Sequence, residues 1–204
     1  ALRFFKGRPT GSLGDIGCFS AHPLKNLNAC GDGGFITTND ENIYNQIKIL
    51  RNHGKNSPIS VSQFGLVSRM DNLQAAILNY RLDKIESINN KRRLNAKEYI
   101  DRLNKDIFIP LDQDDISNTY HSFVIQTRNR NKLKEHLSSK GIKTAIHYPI
   151  PIHLQKASAG LGYSEGDLPV TEKQSDEILS LPIHQYLSKD DLSAVINEIN
   201  SFKS

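Results

Sequence analysis

Lys25 sits where a lysine could do covalent chemistry. A short apolar strand, Ile16 to Phe19, runs into Ser20. His22-Pro23-Leu24-Lys25-Asn26-Leu27 follows, and Gly31-Asp32-Gly33-Gly34 then feeds a second strand, Gly34 to Thr38. A lysine walled into such a corner loses hydration. That disfavours the ammonium, lowers its pKa and leaves a nucleophilic amine able to take a cofactor aldehyde as a Schiff base. Lys and Arg together number 26 and most must be solvated, so the setting, not the residue type, singles out Lys25. The Ser20 hydroxyl and the N–H groups of the turn suit a phosphate, although a plain turn serine fits the same place. Gly31 to Gly34 reads either as a phosphate cradle or as a tight turn. It is no P-loop, because no Lys-Ser/Thr follows a G-x-x-x-x-G frame.

Other reactive residues carry less. His53 stands where a helix should end, a place the helix dipole favours for a histidine. His147, His153 and His184 lie in the C-terminal half without cysteine or acid spacing for zinc, so no metal is expected. His147-Tyr148, beside Pro149 and Pro151, reads as a fixed polar rim of a pocket or as a structural loop. No Gly-x-Ser-x-Gly occurs. The two cysteines, Cys18 and Cys30, lie in apolar contexts and are expected to be buried free thiols, which fits a cytoplasmic location.

The elements that must hold these residues follow from periodicity. Residues 1–38 read as β-rich, with a hairpin-like turn at Lys6-Gly7-Arg8-Pro9. Asn39-Asp40-Glu41 starts a helix carrying Ile43, Ile47 and Leu50, which stops near Gly54. Residues 55–68 read as a loop. Leu73, Ile77, Leu78, Leu82, Ile85 and Ile88 predict a long helix from about Arg69, kinked or straight, continuing through Tyr99 and Leu103. Such a helix bridges domains, so the reading divides the chain into 1–88 and 89–204. Strands follow at Ile107 to Pro110, His121 to Gln126 and Lys143 to Ile146. Helices are expected over Arg130 to Lys140, over Thr171 to Leu179 and after Ser188. Strands alternating with helices give an α/β chain.

Composition excludes some classes. With 37% hydrophobic residues and no run near the roughly 20 a membrane span needs, no membrane partner is expected. A net charge of +4 with scattered basic residues gives no nucleic-acid patch.

Several motifs, in order, resemble the DegT/DnrJ/EryC1/StrS family of pyridoxal-phosphate sugar aminotransferases. They are Gly11 to Ser20, His22 to Leu27 with Gly31 to Gly34, Leu50-Arg51-Asn52-His53-Gly54, Ser68 to Leu78, Ile146 to Gln155 and Leu179-Ser180-Leu181-Pro182. The resemblance implies the rear part of a fold-type-I large domain plus a C-terminal small α/β domain. It makes Lys25 the Schiff-base lysine and proton shuttle, and implies that Ser20, Asn26 and Arg69 hold the cofactor, pyridoxal 5'-phosphate. His147 and Tyr148 would meet the sugar nucleotide. The implied reaction moves an amino group from an amino acid, usually glutamate, to a keto group of a nucleotide-linked sugar, with a slight lean to C3, in a homodimer.

The same resemblance implies that the aspartate facing the pyridine nitrogen, a ring-stacking residue and a phosphate loop precede residue 1. Little turnover is therefore expected of this stretch alone. Val67 replaces the family's asparagine in Gly65-Leu66-Val67-Ser68-Arg69. Valine cannot supply that phosphate contact, worth about 1.5–3 kcal/mol if charge-assisted. Two alternatives stay open: a non-catalytic dimerisation remnant, and a sugar dehydratase of the same family. Dehydratases of this family that delete the lysine place histidine there, and Lys25 argues against them.

Overall fold

The computed structural model describes residues 3–110 and 112–203; Ala1 and Leu2, the start of the expected β-rich stretch, lie outside the described residues. The chain forms two compact units, Ala1–Asn90 with Asp112–Thr119, and Lys91–Leu111 with Tyr120–Ser204. Helices and strands are mixed, and every strand pair among the described residues is antiparallel.

In the first unit, β1 (Phe4–Phe5) turns back into β2 (Arg8–Pro9) through Lys6 and Gly7, both at positive φ. The segment 112–119 returns here because β5 (Ile116–Ser117) pairs with the other edge of β1. No periodicity could announce so short a strand. β3 (Gly17–Ser20) pairs with β4 (Gly34–Thr37), and Phe19 stacks on Phe35 across the pair at 4.8 Å. Gly17 is required there, since a side chain would overlap the Gly11 backbone and the Thr37 hydroxyl.

Helix α1 (Glu41–Leu50) starts where expected, with the Asp40 carboxylate accepting from the N–H groups of Asn42 and Ile43. The expected long helix is two helices. α2 (Asn72–Leu82) stops at Asp83, and α3 (Ile85–Arg102) begins after a turn in which Lys84 N–H donates to the Arg81 carbonyl. Periodicity continues across that break because Leu78 and Ile85 enter one core, with Ala21, Leu27 and Ala29. Leu73 and Leu82, counted in the same apolar stripe, are exposed.

The second unit is built on β6 (Phe123–Gln126) and β7 (Ile178–Leu181), paired antiparallel. β7 corrects the expected Thr171–Leu179 helix. α5 runs only over Pro169–Glu177, with its proline at the first turn, where no N–H is needed. The chain then extends because Leu179 and Leu181 must enter the core. The strands expected at 107–110 and 143–146 reduce to single bridges, Phe108 to Gln126 and Ala145 to Ser180. α4 (Arg130–Ser139) closes at Gly141, φ 77°. α6 (Lys189–Ser201) opens with the capping box of Ser188 and Asp191 and buries Leu192, Val195, Ile196 and Ile199.

Two buried polar side chains staple this core. The Tyr99 hydroxyl donates to the Pro182 carbonyl at 2.9 Å, and burial pushes its phenol pKa up. Arg92 donates to the carbonyls of Tyr120 and Ile183 at 3.0 and 2.8 Å, and burial lowers its pKa. Among the described residues no helix is long and apolar enough to cross a membrane.

Leu179 is fully buried, whereas Leu94 on α3 is 65% exposed. Leu179→Ala should cost about 2–5 kcal/mol and Leu94→Ala almost nothing. Urea unfolding checks this, and equal midpoints for the two variants would contradict the assignment of the core.

Candidate active site

Ser20 ends β3, and the chain leaves the sheet in a compact clasp. Ala21 N–H donates to the Gly33 carbonyl at 2.7 Å, Lys25 N–H to the His22 carbonyl at 2.8 Å, and Ala29 N–H to the Ala21 carbonyl at 2.8 Å. Lys25 therefore rides on a turn whose two ends are pinned to one another. The corner is more open than its sequence suggests. Lys25 is half-buried, because Leu24 beside it points to solvent and Ser20 is exposed. Cys18 and Cys30 are free thiols, as expected, but both are exposed, because Ala21, Leu27 and Ala29 fill the adjacent core instead.

Asn26, next in the chain, turns inward. Its side chain is buried, and its amide nitrogen donates to Asn89 Oδ1 at 2.8 Å and to the Thr119 carbonyl at 2.7 Å. Its own Oδ1 is buried without a hydrogen-bond partner. Asn26 thus anchors the lysine turn to the start of α3 and to the returning segment.

α2 braces the clasp from another side. Gln74 Oε1 accepts from Cys30 N–H at 2.8 Å, and Arg81 donates to the Asn28 carbonyl at 2.6 Å. Met70 packs on Gly33, where an added Cβ would stand 3.3 Å from its Cε. Arg69, the residue before it, is exposed. Val67 is paired in a bridge with Asn52. Gln74 and Arg81 were missed in the sequence. Their signal was present, since polar residues at 74 and 81 interrupt the stripe that carries Leu78 and Ile85.

A primary amine and a hydroxyl suit an aldehyde carbon and a phosphate. Ser20 Oγ accepts only from His22 N–H, at 3.3 Å, so its own proton has no acceptor among the described residues. That donor set fits pyridoxal phosphate on the side this turn would face.

His147 and Tyr148 belong to the second unit, are exposed, and meet edge to face at 5.5 Å. His147 Nδ1 is 3.0 Å from Ser180 Oγ. Beyond them, His153 is buried and its Nε2 lies 2.9 Å from Glu172 Oε1. Glu172 also accepts from Gly166 N–H, at 2.9 Å, and from Leu168 N–H, at 3.2 Å. Residues 152–154 and 156–161 form two 3₁₀ turns between these anchors. The three C-terminal histidines are engaged separately, His184 accepting from Tyr186 N–H at 3.2 Å.

The sequence model of the DegT/DnrJ/EryC1/StrS aminotransferase family matches residues 4–200. The chain belongs to that family. It is 36% identical over 200 residues to a Streptomyces venezuelae dTDP-3-amino-3,4,6-trideoxy-alpha-D-glucose transaminase, covering 97% of this chain and 53% of that protein. It is 37% identical over 199 residues to an Aneurinibacillus thermoaerophilus dTDP-3-amino-3,6-dideoxy-alpha-D-galactopyranose transaminase, covering 97% and 54%. The solved structure of S. venezuelae DesV superposes with a TM-score of 0.94 at 36% identity, over 97% of this chain and 54% of that one. The chain thus spans about half the length of the relatives it matches.

The His153 hydrogen bond, and then the N–H of Gly166, hold the Glu172 carboxyl below its ordinary value of 4.5, against the opposing effect of burial. A depressed carboxyl pKa adds stability above the unfolded value and loses it as pH falls through the folded value. Glu172→Gln should therefore lower the melting temperature at pH 6. The gap should narrow as pH drops below about 4.5. Melting curves from pH 3 to 7 decide it, and a gap that widens on acidification would refute it.

Proposed function

We propose that this chain is the lysine-bearing part of a pyridoxal-phosphate-dependent aminotransferase acting on a nucleotide-linked keto sugar. The observation that carries this is the pinned turn that holds Lys25 five residues after Ser20 at the end of β3, in a chain of the DegT/DnrJ/EryC1/StrS family. On this reading the chain comprises the rear of a fold-type-I large domain and a small α/β domain. Lys25 Nζ is the amine that would hold the cofactor's aldehyde carbon and then move a proton at the substrate carbon. When bound, the cofactor supplies the electron sink for the carbanion. The Ser20 hydroxyl would donate a hydrogen bond to a phosphate oxygen and Arg69 would supply a charge. Asn26 acts by fixing the turn beneath Lys25. His147 and Tyr148 meet the sugar nucleotide.

Amination at C3 is supported by the names of both transaminases, each of which forms a 3-amino sugar. Glutamate is the expected amino donor. A homodimer is supported by the loop before α2, where Ile59 and Phe64 are fully exposed and belong to no core. Buried interfaces favour such residues.

The protein carrying this chain should transfer an amino group from glutamate to a dTDP- or UDP-linked 3-keto sugar. Lys25→Ala should lower that rate by about 10²–10⁴-fold or more and abolish the visible-edge absorbance of bound pyridoxal phosphate. Mass detection of the amino sugar measures the first and a spectral titration the second. A Lys25→Ala protein with unchanged rate and spectrum would remove Lys25 from the chemistry. Asn26→Ala removes the hydrogen bonds that its amide gives to Asn89 Oδ1 and the Thr119 carbonyl, so it should cost about 1–3 kcal/mol of stability as well as activity. A chemical-denaturation midpoint equal to wild type would remove Asn26 from the support of the turn.

A further inference from the structure

Ser180 sits at the centre of β7, between Leu179 and Leu181, and is 7% exposed. Its backbone is fully used, since its N–H donates to the Ala145 carbonyl at 2.7 Å and its carbonyl accepts from Ala145 N–H at 3.1 Å. Only the hydroxyl is left, and it meets His147 Nδ1 at 3.0 Å. A buried hydroxyl has one proton to place, and leaving it unbonded costs as much as an unsatisfied buried donor. Among the described residues Nδ1 is its one acceptor. The hydroxyl therefore donates, and Nδ1 must be the unprotonated nitrogen of a neutral imidazole. The ring proton then lies on Nε2, which has no partner among the described residues, on an exposed ring. If the ring gains a second proton, Nε2 remains a donor.

Resting on the proposed reading of His147 as a substrate contact, we infer that Ser180 is a positioning residue. It holds His147 as an outward Nε2–H donor, so that the group His147 selects is an acceptor oxygen of the nucleotide sugar. Phosphoryl and sugar oxygens share that chemistry. Tyr148 packs edge-on against the same ring. Without the serine Nδ1 loses the hydrogen bond that fixes it as the acceptor, and some encounters would present a lone pair where a proton is needed.

The test uses the protein carrying this chain, loaded with pyridoxal phosphate and labelled with ¹⁵N-histidine. Long-range ¹H–¹⁵N correlation reads the His147 tautomer, assigned by its loss in His147→Gln. Wild type should show the Nε2–H form, Ser180→Ala a mixture, and Ser180→Thr the wild-type form. Calorimetry with the nucleotide diphosphate alone and with the nucleotide sugar needs no turnover. Both ligands weakened about three- to tenfold by Ser180→Ala, the range of one neutral hydrogen bond, points to a phosphoryl oxygen; the nucleotide sugar alone weakened points to a sugar oxygen. Turnover should show the change in KM with kcat within about twofold. In the His147→Gln background Ser180→Ala should have no further effect. An unchanged tautomer in Ser180→Ala, unchanged affinity for both ligands, or a full penalty that persists without His147 would each overturn the inference. Absence of amino transfer by wild type would instead sink the proposed reaction, while the tautomer and the calorimetry still decide the role of Ser180.

Discussion

The buried amide of Asn26 is the constraint on which the first unit depends. Desolvating an amide is costly unless its hydrogens find acceptors, and both are met, by Asn89 and by the Thr119 carbonyl. Those acceptors come from the first turns of α3 and from the segment that pairs β5 with β1. One side chain thereby ties three distant stretches of sequence, and its neighbour in the chain is Lys25. An amine in the role proposed for Lys25 needs placement within a fraction of an ångström. The rigid partner of this lysine is the polar clasp beneath it, braced by Gln74 and Arg81, more than any apolar wall around it.

The second unit uses polar groups in the same way. Arg92 spends its buried guanidinium on main-chain carbonyls at the ends of the β6–β7 sheet, and Tyr99 takes another there. Arg130 does the same for Ser175 and Ile178, at the junction of α5 with β7. Backbone carbonyls need donor partners where a strand stops, and these side chains supply them there. The long polar side chains let the strands be short while leaving the backbone satisfied, and Ser180 extends that economy to an exposed histidine.

Much of this was legible in the sequence. Asp40 and the Ser188–Asp191 box start helices where their side chains say they should, because capping is a local interaction. The lysine motif and its order relative to the later signatures gave the family. What failed had non-local causes. The break at Asp83–Lys84 is invisible to periodicity, since Leu78 and Ile85 feed the same core from two helices. The extended state of Ile178 to Leu181 is set by β6, far back in the sequence, and overrides a helical-looking run. Cys18 and Cys30 lie among apolar residues in sequence yet are exposed, because in a strand or a clasp the neighbours face elsewhere. Asn26 was read as a cofactor contact from its place in the motif, while its amide points into the core.

The carboxylate of Glu172 gathers His153 and the N–H groups of Gly166 and Leu168, so the excursion from 153 to 166 is closed at its base like a purse. Between His153 and Gly166 Ser158 alone is buried, tied to the Ile152 carbonyl at 2.6 Å. A loop gathered at its neck can grow cheaply, at about 0.6 kcal/mol for each doubling of its length. Insertions between Gly160 and Glu165 could therefore reshape the surface downstream of His147 and Tyr148 without disturbing β6, β7 or the helices behind them. In a family whose members act on different sugars, this is a place where sequence can drift in length while the lysine clasp stays fixed.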